Sequence, residues 1–264
     1  MSTWQRNIKL GRPELSVVIP VYNEEARIGK TLAAAFVYLR KKKTRAEILV
    51  VDDGSKDKTL ETVGKFKKLA KGRLVLKILK HGVNRGKGAA VKTGALAARG
   101  DTILYMDADN ATALSEFEHF RPALREGADV IVGSRAVDRK AVKVHQPIYR
   151  EAMGRIFNYL VRLITVSGVK DTQCGFKAFR REAANAIFPL QTIERFGFDV
   201  ELLYIARKHG FTIDEISVQW FDALGSKVNV LRDSTRMFTD LLLIRWNDMK
   251  GLYSSKKAKA VSHR

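Results

Sequence analysis

The residues best suited to chemistry are acidic and stand where hydrophobic runs stop. Asp107 and Asp109 close the segment DTILYMDAD. In an extended chain, side chains two apart project to the same side, so both carboxylates can share one cation. No His or Cys stands beside them, and hard oxygen ligands of this kind favour Mg²⁺ or Mn²⁺. Such ions commonly take one or two protein carboxylates and complete their shell with substrate phosphates. The pair therefore points to a substrate carrying a nucleoside diphosphate. The same Asp-x-Asp pattern also arises when a strand end merely caps the next helix. Two earlier runs end in the same manner, LSVVIPVYNE with Pro20, Tyr22 and Glu24, and AEILVVDDGS with Asp53.

These ends act together only if the elements carrying them lie side by side. Leu15 to Val21 reads as a buried strand, and residues 24 to 43 as a helix with apolar positions at Ile28, Leu32, Ala35, Phe36 and Leu39. AEILVVDD is a second strand, Thr59 to Ala70 a helix, Arg73 to Leu79 a third strand, and Gly86 to Arg99 a helix opening on glycines. DTILYMDAD is the fourth strand, Ser115 to Glu126 a helix, and ADVIVGSR the fifth strand. Beyond them the spacing predicts a long helix over Arg150 to Val166 and a polar loop over Ser167 to Lys177. Helices near Arg181 to Phe188 and Val200 to His209, a strand at Thr212 to Trp220 and a last helix at Ser234 to Lys250 follow. Alternating helices and doubly apolar strands argue an α/β fold with a mainly parallel central sheet flanked by helices. In such sheets ligands bind beyond the carboxyl ends of the strands, where all three acidic ends fall.

Two phosphate-loop lookalikes fail. Gly29-Lys30-Thr31 ends like a P-loop, but Glu24 occupies the position of its first glycine, and Gly86 and Gly88 lack the third glycine of the dinucleotide fingerprint, where Val91 stands. The 48 Lys plus Arg against 28 Asp plus Glu leave the 264-residue chain at +20, which calls for a polyanionic neighbour. Nucleic acid is a poor candidate, because Lys65, Lys67, Lys68 and Lys71 have only Phe66 among them to stack on bases. The lone Cys174 permits no internal disulfide, and no run of about 18 uncharged apolar residues is present, so a cytosolic protein without its own membrane span is expected.

Four motifs in order, SVVIPVYNEEARI, ILVVDDGSKDKT, NRGKGAAVKTG and YMDAD, resemble the family 2 glycosyltransferases of the GT-A fold over roughly the first 135 residues. GVKDTQCGFKAFRREAA, RFGFDVELLYIA, ISVQW and GSKV extend the likeness to about Tyr253, and there it is to the dolichyl-phosphate glucosyltransferases. The resemblance implies a single GT-A nucleotide-diphospho-sugar transferase domain over 1–253. Its nucleotide-sugar half spans about 14–135 and its acceptor-facing and membrane-facing half about 136–253, with a basic disordered tail at 254–264. It implies that Pro20, Tyr22, Glu24 and Asp53 line the base and ribose of the donor, and that Arg85 and Lys87 approach the nucleotide. Asp107 and Asp109 then hold Mg²⁺ or Mn²⁺; Thr112 stands where mannosyl relatives carry a further Gln ligand.

A polyprenyl phosphate, with a second pKa of about 6, is already a nucleophile at pH 7 and needs no enzyme base. The resemblance makes Arg135 and Arg150 the acceptor-phosphate cations, while Gly154 replaces a serine contact of the mannosyl relatives. Asp199 and Glu201 are left as sugar contacts, as scaffold, or as a base for a hydroxyl acceptor. The expectation is an inverting transfer of glucose from UDP-glucose to a dolichyl-type phosphate on the cytosolic face of a membrane. There the +20 charge meets an anionic surface, and the helix at 150–166 is either an interfacial anchor or a core helix. The alternatives keep the fold and use GDP-mannose or a saccharide acceptor.

Overall fold

The structure, a computed structural model, describes residues 11–135, 168–221 and 230–254, with side chains from 239 onward in the last stretch. The first half follows the alternation read from the sequence: β1 (Leu15–Val21), α1 (Ile28–Lys41), β2 (Ala46–Asp52), α2 (Thr59–Lys65), β3 (Leu74–Lys80), α3 (Lys87–Ala97), β4 (Thr102–Met106), α4 (Phe117–Glu126) and β5 (Val130–Ser134). The helix expected to run to Ala70 ends at Lys65 and tightens into a 3₁₀ turn over Phe66–Leu69. After residue 168 come β6 (Phe176–Arg180), α5 (Arg181–Ile187), α6 (Phe198–Lys208), β7 (Ile213–Ser217) and α7 (Val230–Met249). The helix expected over Arg150 to Val166 lies outside the described residues, as does the tail beyond Ser254.

The strands form one seven-stranded sheet in the order β3-β2-β1-β4-β6-β5-β7. Every neighbouring pair is parallel except those of β6, which runs antiparallel to both β4 and β5. The polar loop expected over Ser167 to Lys177 thus hides the start of a central strand. Lys177 made it look like surface, yet that side chain is fully buried.

Period-two alternation sorts the strands into two cores. Val17, Ile19, Ile48 and Val50 face α1, where Ile28, Leu32 and Phe36 interdigitate, while Val18, Leu49 and Val51 face Ala90 and Val91 of α3. The parallel pairs put the carboxyl ends of β1, β2 and β4 at one edge.

Helix α3 lies unusually close to the sheet. A methyl group on Gly94 would stand 2.3 Å from Val18 Cγ1 and 3.0 Å from Val51 Cγ2. Helix propensity alone favours Ala over Gly by ~1 kcal/mol, but forcing a methyl into a packed interface costs ~1–3 kcal/mol. Sterics win at this position, so Gly94→Ala is expected to lower unfolding stability in denaturant titrations. Gly64→Ala in α2, where a methyl would meet nothing within 4 Å, is expected to raise it by ~0.5–1 kcal/mol. Equal effects of the two would contradict the packing.

Candidate active site

The strand ends open into a cleft of about 400 Å³. Pro20, Tyr22 and Glu24 come to it from β1, Asp53 from β2, Asp107 and Asp109 from β4, and Lys87 from the first turn of α3. Arg27, Arg195 and Phe196 complete the walls. Most of the residues singled out in the sequence are therefore brought together.

Asp107 and Asp109 set the electrostatics. Burial and the charge of Asp107 both raise the pKa of Asp109, which a hydrogen bond from the Ala111 amide (3.0 Å) only partly offsets. A carboxylate crowded by its neighbour in this way gains from a cation. Lys87 supplies one, its Nζ 2.6 Å from Asp107 Oδ1. Burial works against the Lys87 charge, but Asp107 and Asp199 raise its pKa overall, so it stays an ammonium. The loop carrying the pair is pinned from α1 by the Thr31 hydroxyl, which donates to the Ala108 carbonyl at 2.5 Å.

The residues present fit a divalent ion. Asp107 rests against Gly175, where a Cβ would come within 2.1 Å of Asp107 Oδ2, so only glycine leaves the carboxylate its place. The buried Asn110 Oδ1, next to Asp109, has no hydrogen-bond partner among the described residues. No group of three or more His, Cys, Asp or Glu gathers at one point among the described residues. The ion would thus have this pair as its acidic ligands, with open positions for phosphate oxygens.

Asp53 is committed to architecture. Its Oδ1 accepts from the Arg85 amide (2.9 Å) and meets His81 Nδ1 at 2.7 Å, and its Oδ2 accepts from the Gly86 amide (2.7 Å). The His81 ring then reaches Thr93 Oγ1 of α3 at 2.9 Å. This one carboxylate fixes the turn that starts α3 and so aims Lys87. Gly86 has φ 118°, a region L side chains avoid, and a Cβ there would stand 2.5 Å from the Glu194 carbonyl. Glu24 is likewise engaged, taking both Nε and Nη2 of Arg27 at 2.6 Å.

Several expected site residues fall elsewhere. Arg85 turns out of the cleft and pairs with Glu194 in a neighbouring depression. Arg135 is not in the cleft wall: Asp171 holds its Nε at 2.7 Å and Nη2 at 2.8 Å, and the guanidinium lies 5.6 Å from the Trp220 ring centre. The Asp171 charge raises its pKa further. Arg150 and Gly154 lie outside the described residues. Neither Asp199 nor Glu201 lines the cleft. Asp199 Oδ1 accepts from the Tyr105 hydroxyl and from Lys177 Nζ (2.5 Å) inside the core. Glu201, fully buried, accepts from the Thr192 amide (2.9 Å) and hydroxyl (2.5 Å), the Ile193 amide (2.8 Å) and the Tyr253 hydroxyl (2.7 Å). Its lone pairs are taken by scaffold donors.

Residues 16–188 match the family described as Glycosyl transferase family 2. The chain belongs to that family. It is 38% identical over 253 residues to a dolichyl-phosphate beta-glucosyltransferase of Dictyostelium discoideum, covering 92% of this chain and 77% of that one. It is 37% identical over 262 residues to the Homo sapiens protein of the same name, covering 94% and 80%. Among solved structures, glucosyl-3-phosphoglycerate synthase from Mycobacterium tuberculosis superimposes with a TM-score of 0.65 at 19% identity, covering 90% of this chain and 81% of that one. One such crystal contains Mn²⁺, UDP-glucose and phosphoglyceric acid, and another Mg²⁺ and UDP. This glycosyltransferase has the GT-A fold.

Sequence reasoning passed over Arg27, Gly175, His81, Arg195 and Phe196. Arg27 carried a local signal, standing three residues after Glu24. The others depend on contacts across long stretches of chain. Because the Asp107 carboxylate occupies the space a Gly175 side chain would fill, Gly175→Ala is expected to displace it and to weaken divalent-ion binding at least about tenfold, at ~1–3 kcal/mol of stability. Mn²⁺ titration by calorimetry and thermal unfolding check both parts. Unchanged Mn²⁺ affinity would show that Asp107 does not need that cradle.

Proposed function

We propose that this glycosyltransferase transfers glucose from UDP-glucose to a dolichyl-type polyprenyl phosphate, with inversion at the anomeric carbon, with Mg²⁺ or Mn²⁺ bound at Asp107 and Asp109. The observation that carries the reading is the crowded carboxylate pair at the head of a cleft walled by Pro20, Tyr22, Glu24 and Asp53. Tyr22, which lines the cleft and is 37% exposed, is the aromatic beside which a nucleoside would stack. The relatives named above support the acceptor and the sugar, and the nucleotide in the superimposed crystals supports UDP.

When bound, the divalent ion supplies charge stabilisation to the departing diphosphate. The chain's own residues do the remaining work. Lys87 adds a fixed positive charge at the same place, aimed by the Asp53 clamp on its turn. The acceptor phosphate attacks the anomeric carbon from the face opposite the diphosphate, the carbon–oxygen bond to UDP breaks, and configuration inverts. No proton has to leave the nucleophile, which accords with Asp199 and Glu201 being consumed by scaffold contacts. The enzyme works at the cytosolic face of a membrane, where the +20 charge attracts anionic lipid. No described helix is long and apolar enough to cross one.

Purified protein incubated with labelled UDP-glucose, GDP-mannose or other sugar nucleotides and a short polyprenyl phosphate tests this directly: label is expected in the chloroform phase from UDP-glucose. Preference for GDP-mannose, or transfer only to a saccharide, would overturn it. Asp109→Asn is expected to cut transfer by about a hundredfold or more. It should leave the melting temperature equal or higher, because it relieves the repulsion with Asp107. Thermal stabilisation by UDP with Mn²⁺ should exceed that by GDP with Mn²⁺. As pH falls through about 6 the acceptor gains a proton and loses nucleophilicity, so the rate should fall there. A fall centred well below that, tracking a carboxylate, would point to an enzyme base.

A further inference from the structure

The cations around the cleft are unequally committed. Arg27 is gripped by Glu24, Lys87 by Asp107, and outside the cleft Arg85 by Glu194 and Arg135 by Asp171. Arg195 lines the cleft, and among the described residues its guanidinium has no acidic partner. Its side chain is exposed on the cleft wall. Here its placement is constrained from behind.

The segment Gln191–Phe196 that carries it is tied down at every turn. Glu201 takes the Thr192 and Ile193 amides, and the Glu194 carbonyl accepts from the Ala89 amide of α3 at 3.0 Å. Lys92 donates to the Gln191 carbonyl at 2.6 Å, and the Gln191 side-chain amide donates to the Gly88 carbonyl at 2.9 Å. The stem of Arg195 lies over Gly86, its Cγ 2.9 Å from where a Cβ of that glycine would be. The segment is therefore an ordered wall, and Arg195, exposed on it, lines the same space as Lys87 and the Asp107–Asp109 pair.

We propose that Arg195 is a phosphate-binding residue of the cleft, its planar fork taking two oxygens of one phosphoryl group. This rests on reading the cleft as the site of a nucleoside-diphosphate sugar. It also gives Glu201 a task, positioning Arg195 through the loop without touching substrate. The same chemistry is offered by the donor's diphosphate and by the acceptor's phosphate. Arg135 is the weaker candidate for either, because a phosphate would first have to displace the bidentate Asp171.

The test uses the full chain with Arg195→Ala and Arg195→Lys, reading Mn²⁺-dependent UDP binding by calorimetry, uridine binding by competition, and the KM for a short polyprenyl phosphate at saturating donor. Removing a charge-assisted hydrogen bond to a phosphoryl group corresponds to roughly a tenfold to hundredfold effect. If the donor diphosphate is the ligand, UDP affinity falls by that factor in Arg195→Ala, uridine affinity holds, and the acceptor KM holds. If the acceptor phosphate is the ligand, its KM rises and UDP affinity holds. In either case lysine recovers part of the loss. Unchanged values for both, within about twofold in a protein melting like wild type, overturn the proposal; so does an equal loss for uridine and UDP, which would mean that the wall has moved. Should Arg195→Ala melt early, Arg195→Gln, which keeps the stem, decides by the same readings. Wild-type protein that binds no UDP with Mn²⁺ would instead overturn the reading of the cleft, and the proposal with it.

Discussion

Two like charges two positions apart at the end of β4 repel, and much of the surrounding architecture exists to hold them there. Burial and the charge of Asp107 both disfavour the charged form of Asp109 and raise its pKa. The chain does not cancel this repulsion completely. It brings one ammonium, Lys87, to Asp107, and the charges of Lys87 and Arg27 offset the crowding at Asp109 only in part. On the proposed reading, a divalent ion and a diphosphate would bind such a site better together than either would alone, because each relieves the charge the other brings.

Lys87 has to be held as firmly as the carboxylates, and that requirement runs through the rest of the fold. Its turn is fixed by Asp53, which spends its oxygens on backbone amides and on His81. Behind it, Asp199 extends the alternation of sign into the core, contributing to the Lys87 pKa from one side and pairing with Lys177 on the other. Lys177 sits on β6, the antiparallel strand between β4 and β5. The same strand end brings Gly175 against Asp107. One reversed strand thus provides both the space for the carboxylate and the buried cation of the network. Removing either member of the Lys177–Asp199 pair would strand a charge in the interior, which costs ~3–5 kcal/mol. The pair belongs to the fold before it belongs to the chemistry.

How far this was legible in the residues differs by element. β1, β2, β4 and β5 were plain because strands buried on both faces read as unbroken apolar runs. The acidic ends of β1, β2 and β4 were plain because carboxylates closing three such runs fall at the carboxyl edge of one parallel sheet. β6 was missed because FKAFR carries Lys177 and Arg180, which pass for surface until their partners are known. Asp199 lies 22 residues away from Lys177, and the carbonyls of Leu124 and Ala128, which receive Arg180, lie more than 50 away. Asp199 and Glu201 were open to a catalytic reading for the same reason. A helix presenting two acids looks alike in sequence whether it faces substrate or core, and only the Thr192, Ile193 and Tyr253 donors around Glu201 tell the difference. Arg85 and Lys87, two residues apart in one loop, diverge into separate depressions, a sorting set by Asp53 and Glu194 and by nothing local.

The distribution of charge bears on mechanism. An enzyme that deprotonates a hydroxyl needs a carboxylate with a free lone pair in the cleft, held away from cations so that its pKa stays near the working pH. Here Glu24 is bound to Arg27, Asp53 to backbone and His81, Asp107 to Lys87, and Asp199 and Glu201 are internal. Among the described residues Asp109 remains, its pKa raised by burial and then by the very neighbour with which it would bind a metal ion. Among the described residues the carboxylates of this site are arranged to fix cations and loops, and Arg195 lines the cleft without an acidic partner. That is the complement of a nucleophile that arrives already ionised, for which holding an anion in line matters more than taking its proton.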